Sequence, residues 1–281
     1  MTTHSCTGPF MSSPDTFRIP APRAKLYFDR DKSEAEQLAA SLAPFEGEPA
    51  VVILVIGGDG TMLRAIRQHW RDGLPFYGLN TGHIGFLLND PERLDFWSRD
   101  LRRYRLPLLD ISTTDPSGQT RSEVAFNDCW IERETGQTAW VEVSVNDELR
   151  MERVVADGML VSTSAGSTSY ARAMGATPLP FNANLLTLAG SNVLKPEFWR
   201  PAVLPSDSRV RLRNLDPIKR PWRCFIDGIA QGAVLEMTAK VSDTAFVELL
   251  FAPEYDPVAK LAVTQFPQLG QAILSPRQVS S

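Results

Sequence analysis

Hydrophobic positions in the first hundred residues alternate between short unbroken runs and stripes of helical period. The runs lie at residues 24–28, 51–56 and 76–79. The six successive β-favouring apolar residues at 51–56 predict a strand buried on both faces, as in a parallel sheet covered by helices. After Ser33, the residues Ala35, Leu38, Ala39 and Leu42 share one helix face, with Glu36 placed to complete a capping box. Met62, Leu63, Ile66 and Trp70 form a second stripe over residues 61–70. Asp90 and Pro91 read as the cap and first turn of a third helix, with the stripe Leu94, Trp97, Leu101 and Tyr104. This alternation predicts a small Rossmann-like parallel α/β domain at residues 23–108.

The pattern changes after Pro107. Strand-like segments at 108–113, 123–133, 139–145 and 149–155 are separated by turn signals at 115–118, Thr135-Gly136 and Asn146-Asp147. Val141, Val143 and Val145 alternate with polar residues, the pattern of a half-buried antiparallel strand. Further strands are expected at 209–213, 223–226, 233–238 and 246–251, with one helical insertion after Ser164. The fold class is therefore α/β plus mainly-β: a β-rich, β-sandwich-like domain at 109–252 follows the first domain. A C-terminal segment at 253–281 is able to pack back on the N-terminal domain. Residues 1–22, rich in Ser, Thr and Pro, read as a flexible extension.

Composition narrows the class without naming it. Of 281 residues, 43% are hydrophobic and 22% charged, which suits a globular protein and excludes a disordered or collagen-like one. No apolar run nears the ~20 residues of a membrane-spanning helix. Residues 1–19 lack the charged start and apolar core of a secretory signal, so a cytoplasmic location is expected. The net charge of -4 is the wrong sign for a dedicated nucleic-acid binder. Cys6, Cys129 and Cys224 are widely spaced and form neither a disulfide framework nor a zinc site. No other metal site is expected either.

Four segments carry candidate chemistry. Gly57-Gly58-Asp59-Gly60-Thr61 lies between the buried strand and an amphipathic helix, at the carboxyl edge where open α/β sheets collect ligands. Glycines admit a phosphate close to the backbone, and the helix start offers unpaired N–H groups. Asp59 repels phosphate, but makes sense as a base that takes a proton from an attacking hydroxyl. The other reading of this loop is a tight turn with Asp as a cap. Asn80-Thr-Gly-His-Ile-Gly-Phe86-Leu87 follows the third strand, and its His83 is paired with no nucleophile. Asp157 opens a third segment that runs through a hydroxyl-rich glycine loop to Tyr170. Its hydroxyls suit ribose, adenine or carboxamide contacts, or mark a polar linker. Asn127 and Asp128, inside the apolar stretch 124–131, need partners either in the core or in a ligand.

Taken in order and spacing from residue 24 to 251, these segments resemble the NAD kinase family, which phosphorylates NAD to NADP with ATP or polyphosphate. Diacylglycerol-type lipid kinases and phosphofructokinases carry loops similar to GGDGT; lipid kinases lack the 157–170 segment at this distance. The resemblance implies that Asp59 is the base on the adenosine ribose 2′-hydroxyl, with Gly57, Gly58, Gly60 and Thr61 around the phosphates. It further implies that Phe86 lines the NAD pocket and that Asn127 and Asp128 hold adenine and ribose. Asp157 would meet the nicotinamide riboside end, while Thr168, Ser169 and Tyr170 enclose the dinucleotide. Mg2+ would arrive with ATP rather than in a protein cage. A homodimer or homotetramer formed through the second domain is also implied.

The chain departs from the family pattern at several positions. Asp128 stands where Glu is usual, Ala165 within the Thr163-Ser-Ala-Gly166 turn, and Ala173 and Ala176 after the tyrosine. The usual Pro-His before Arg200-Pro201 is replaced. Two other readings remain open at this point. One is a catalytically weak NAD(H)-binding sensor of the same fold; the other is a lipid or small-molecule kinase sharing the GGDGT loop.

Overall fold

The computed structural model describes residues 14–82, 85–90 and 94–265. The described chain divides into two units, one built from the residues up to Leu106 and from Val247 on, the other from Pro107 to Phe246.

The first unit begins with β1 (Asp15–Phe17), β2 (Ala24–Phe28), α1 (Ser33–Leu42), β3 (Val52–Gly57), α2 (Asp59–His69) and β4 (Phe76–Asn80). β2, β3 and β4 pair in parallel, with Ile53 of β3 between Lys25 and Phe76. All six residues of β3 are buried, which is why its sequence is apolar without alternation. α1 buries Ala35, Ala39 and Leu42, and α2 buries Thr61, Met62, Ala65 and Ile66. The expected capping box does not form: Ser33 is already helical, and the cap position falls to Lys32, whose side chain makes no capping bond.

Two other expectations fail here. Residues 14–22 are not a flexible extension, because β1 pairs with Leu101–Arg103 and Ile19 is buried. Residues 1–13 lie outside the described residues. Of the helix expected from Asp90 onward, Pro91, Glu92 and Arg93 lie outside the described residues, and beyond Leu94 it is replaced by a single turn at Asp95–Trp97 and then by β5 (Leu101–Thr114). Leu94, Trp97, Leu101 and Tyr104 have helical spacing, but the intervening Arg102, Arg103 and Arg105 reach Asp256, Asp15 and Glu248 from a strand. Pro107, within β5, would also have opposed a longer helix.

β5 carries the chain into the second unit. There follow β6 (Thr120–Ala125), β7 (Asp128–Arg133), β8 (Ala139–Val145), β9 (Glu148–Ala156), β10 (Gly158–Thr163) and α3 (Tyr170–Ala173). Next come β11 (Leu185–Ser191), β12 (Ala202–Pro205), β13 (Val210–Asn214), β14 (Trp222–Ile226) and β15 (Ile229–Val234). The last strand is β16 (Glu236–Phe251). One antiparallel sheet has the order β12-β11-β10-β7-β14-β15. In the other sheet, β8 pairs with β9 and β13, β13 with the first part of β16, and β5 with β6. Val141, Val143, Leu212 and Met237 of this sheet share one core with Ile131, Met159, Val161, Leu188 and Trp222 of the first, the construction of a β-sandwich. The single strand expected at 123–133 is broken at Phe126-Asn127, where the chain crosses from one sheet to the other. The strand expected at 233–238 is divided between β15 and β16.

From Val247 on, the chain belongs again to the first unit: Leu249 of β16 pairs in parallel with Phe76. α4 (Pro257–Gln265) follows. Asp256 starts it by accepting the N–H of Val258 at 2.8 Å, with Pro257 at the first helical position. Arg102 and Tyr104 of β5 bind the same carboxylate.

Asn89, 1% exposed, ties this unit together. Its Nδ2 donates to the carbonyls of Gly78 and Leu250, both at 3.1 Å, and its Oδ1 accepts the N–H of Ala252 at 2.8 Å. Asn89→Leu would strand the Leu250 carbonyl and the Ala252 N–H in the core. We expect it to lower unfolding free energy by about 2–4 kcal/mol, given the usual cost of each buried unsatisfied group. Denaturant titration measures this, and a loss below about 1 kcal/mol would mean that these groups find other partners.

Candidate active site

The candidate residues fall into two groups, one in each unit. In the first unit the Gly57–Thr61 loop sits at the carboxyl end of β3 and opens α2. Gly57 is sterically required: a Cβ there would lie 2.5 Å from Thr61 Oγ1. Gly58 and Gly60 are not required in this way, since nothing lies within 4 Å of a Cβ at Gly58 and only the tip of Arg64, at 4.0 Å, near one at Gly60. Their lack of side chains leaves bare backbone at a helix start, the surface an anion needs for close approach. Thr61 is committed inside the loop. Its hydroxyl donates to Asp29 at 3.2 Å and accepts from Arg64 at 3.2 Å.

Asp59, the first residue of α2, is half-buried and points at the loop after β4. Its two oxygens accept the N–H groups of Phe86 and Leu87, at 3.0 and 2.9 Å. Asp59 and Phe86, named separately from the sequence, are thus bonded to each other. Burial raises the Asp59 pKa above the ordinary carboxylate value, although both N–H bonds and the nearby Lys260 charge oppose it. A carboxylate that binds protons more tightly than usual is a better base. His83 lies outside the described residues.

Lys260 of α4 was not foreseen. Its Nζ donates to the carbonyls of Gly85 at 2.9 Å and Leu88 at 2.6 Å. A lysine between Ala259 and Leu261 in a late, mostly apolar segment gave no signal of this role.

The second group sits where the chain crosses between the sandwich sheets. Asn127 and Asp128 are both buried, and Asn127 Oδ1 is left without a hydrogen-bond partner among the described residues. The crossing is held by Asp227, which sequence reasoning also missed. Its carboxylate accepts the N–H groups of Phe126 at 2.7 Å, Asn127 at 2.8 Å and Asp128 at 3.2 Å. Asp227 and Gly228 have φ of 44° and 80° in the turn between β14 and β15, as a two-residue hairpin turn requires. The Asp-Gly pair after a strand signals that turn, but not where its carboxylate goes. Burial, and then the neighbouring Asp227 charge, push the Asp128 pKa up to about 7.

Around this crossing, the hydroxyl-rich segment divides in two. Ser162, Thr163, Ser164 and Ser167 spend their hydroxyls on backbone carbonyls of Asn127, Phe126, Ala183 and Ser164. They build the scaffold rather than a contact surface. Gly166 packs directly on Asn127, since a Cβ would lie 2.3 Å from its carbonyl oxygen. Thr168 is half-buried, and Ser169 and Tyr170 are exposed. The Tyr170 ring meets Trp130 edge-on at 5.1 Å, and Trp130 stacks on Phe225 at 5.0 Å. A cleft of about 300 Å³ lies beside them, lined by Trp130, Tyr170, Met174, Arg133 and Asp157. Asp157 is held there by Arg133 at 2.6 Å and Asn192 at 2.8 Å. The structure therefore brings Asp157 and Tyr170 to one cleft and packs Asn127 against the loop that leads to Thr168.

Among the described residues no group of three or more His, Cys, Asp or Glu is placed to hold a metal ion. None of the described helices is long and apolar enough to cross a membrane.

Comparisons with known proteins place this geometry in a family. Residues 19–93 match the model of the ATP-NAD kinase N-terminal domain. The NAD kinase of Xylella fastidiosa is 34% identical over 233 residues, covering 82% of this chain and 90% of that protein. The NAD kinase of Rhizorhabdus wittichii is 35% identical over 242 residues, covering 83% and 93%. Among solved structures, a yeast NADH kinase complexed with NADH shares the fold at a TM-score of 0.73 and 15% identity, covering 96% of this chain and 97% of that one. An NAD kinase from Archaeoglobus fulgidus in complex with ATP does so at 0.66 and 20%, covering 83% and 95%. On the strength of its one-third identity to such relatives over most of its length, the chain belongs to the NAD kinase family.

Proposed function

We propose that the chain transfers the terminal phosphoryl group of ATP, brought with Mg2+, to the adenosine ribose 2′-hydroxyl of NAD, giving NADP and ADP in the cytoplasm. The observation that carries this reading is Asp59. It is a carboxylate of raised proton affinity at a bare glycine loop, in a chain of this family. In the proposed step, Asp59 takes the hydroxyl proton as the ribose oxygen attacks the terminal phosphorus. The bond from that phosphorus to the bridging oxygen breaks, and ADP leaves. Gly57, Gly58, Gly60 and Thr61 bring backbone to the phosphates. Phe86 lines the dinucleotide pocket, Asn127 and Asp128 take adenine and ribose, and Asp157, Thr168, Ser169 and Tyr170 take the remainder. The yeast and archaeal neighbours, solved with NADH and with ATP, support a dinucleotide acceptor and ATP as donor. The sensor and lipid-kinase alternatives gain nothing from the named relatives, each of which is an NAD or NADH kinase. Incubation of the purified protein with ATP, Mg2+ and NAD, followed by an NADP assay, tests the reading directly.

For Asp59→Asn we expect NADP formation to fall by about 10²–10⁴-fold while NAD binding is largely kept, since a base acts chiefly in the transition state. Turnover at the wild-type rate would remove Asp59 from the mechanism.

A pH dependence follows from Asp128. On this reading its ionised carboxylate accepts the ribose hydroxyls, and the group titrates at about 7. NAD affinity should therefore rise by about tenfold between pH 6 and 8, as the ionised fraction grows. Because the folded pKa lies above the unfolded one, the stability this group contributes is present at low pH and is lost as pH rises through about 7. Calorimetric titration of NAD into wild type and Asp128→Asn should show the rise only in the wild type; a flat wild-type profile would contradict the assignment.

We further propose that the chain is a homodimer or homotetramer through its β-rich unit. That unit carries an apolar groove of about 750 Å³ lined by Val143, Met151, Leu188 and Trp199, with Phe198 89% exposed at it. Light scattering alongside activity over a dilution series should show specific activity falling as subunits separate. A monomer of full activity would overturn this.

A further inference from the structure

We infer that Lys260 is a positioning residue for phosphoryl transfer, acting on Asp59 through the backbone of residues 85–88; the inference rests on the kinase reading above. The geometry is a clamp with opposite charges on the two kinds of backbone group. The outer carbonyls of the span, Gly85 and Leu88, accept from the Lys260 ammonium at 2.9 and 2.6 Å. The inner N–H groups, Phe86 and Leu87, donate to the Asp59 carboxylate at 3.0 and 2.9 Å. The Gly85 carbonyl and the Phe86 N–H belong to one rigid, planar peptide group, so neither can turn without the other. Holding the Gly85 carbonyl therefore sets the direction in which the Phe86 N–H meets Asp59, and the bond to the Leu88 carbonyl anchors the far end of the span that carries the Leu87 N–H.

Lys260 is itself fixed from behind. It lies one turn along α4 from Asp256, its N–H bonded to the Asp256 carbonyl at 3.0 Å. Asp256 is held in turn by Arg102 and Tyr104. The charged groups facing the ammonium are Asp59, Asp90 and Asp256, and the Tyr255 ring stands 5.7 Å away. Burial outweighs the three carboxylates and lowers the Lys260 pKa to about 8, so the group remains cationic at neutral pH. Its charge in turn opposes the rise of the Asp59 pKa that burial causes. Lys260 thus has two effects on the proposed base: it aims the N–H groups that orient the carboxylate, and it keeps more of that carboxylate ionised.

The test compares K260M, K260Q and K260R with wild type in kcat, in KM for NAD and ATP, and in the acidic limb of the kcat–pH profile. For K260M we expect kcat to fall by roughly 10–100-fold, the scale of a small misplacement of a reacting group, with KM for ATP little changed. The acidic limb should move to higher pH by about one unit as Asp59 loses its cation. K260Q keeps an N–H donor without the charge, so it should show the same displaced limb even where K260M fails to fold. K260R should return the limb to its wild-type position. Variants with wild-type kcat and an unmoved limb would overturn the inference. So would an equal loss of kcat in all three with the limb in place, since Lys260 would then serve only to hold α4. A wild-type chain that forms no NADP overturns the kinase reading and this inference together. An active wild type with indifferent Lys260 variants overturns the inference alone.

Discussion

Backbone N–H and C=O groups that leave a sheet must still be bonded, and in this protein that constraint falls on a few remote side chains. Where the chain passes beyond β4, Asp59 takes two N–H groups and Lys260 two carbonyls. Where it crosses between the sandwich sheets, Asp227 takes three N–H groups. Where β4 meets the end of β16, Asn89 takes two carbonyls and an N–H. In each case the holding side chain comes from a distant part of the sequence or from a different element. The directions of residues 85–88 and 126–128 are therefore properties of the folded unit and not of those residues alone.

Using charged groups for this purpose has an electrostatic consequence. The carboxylates of Asp15, Asp72 and Asp115 have cations or hydroxyls within hydrogen-bond reach and lie below the usual carboxylate range. Asp59 and Asp128 go the other way, because burial there exceeds the help their surroundings give. Asp128 has in addition an anion beside it rather than a cation. One residue type thus divides into structural and proton-binding members by environment alone. The proton-binding members are those the family resemblance assigns to base and ribose contacts.

The parallel layer was legible because a doubly covered strand leaves an unbroken apolar run, as at β3, and because α1 and α2 bury one face each. The sandwich was legible from alternation in β8 and from its turn residues. What escaped has definite causes. The stripe from Leu94 to Tyr104 fits a helix in spacing, and only the partners of Arg102, Arg103 and Arg105 reveal a strand. The two-residue break at Phe126-Asn127 is hidden in an apolar stretch because both flanks are buried. Asp227 and Lys260 were invisible for a different reason. Asp227 reads as an ordinary hairpin turn and Lys260 as one cation on a short helix, and their importance lies wholly in which backbone groups they reach. Conversely, the hydroxyls of the 157–170 segment were legible as a cluster but not in their division, since a Ser bonded to a neighbouring carbonyl and a Ser facing a ligand have the same letter.

The hydrogen bonds to Asp59 also bear on how binding and chemistry are linked. Each carboxylate oxygen has two lone pairs, and the Phe86 and Leu87 N–H groups use one on each oxygen. One lone pair per oxygen remains, enough on the proposed reading for a ribose hydroxyl, so the bonds to the loop orient the carboxylate without filling it. They also lower its proton affinity, since N–H donors favour the charged form. Anything that lengthens those two bonds makes Asp59 a stronger base, and anything that tightens them makes it weaker. Phe86, on the proposed reading, lines the dinucleotide pocket with its side chain while its N–H holds the base. On that reading, the dinucleotide meets one of the two residues whose N–H groups oppose the rise that burial causes in the Asp59 proton affinity, so substrate contact and the orientation of the base fall on the same short span.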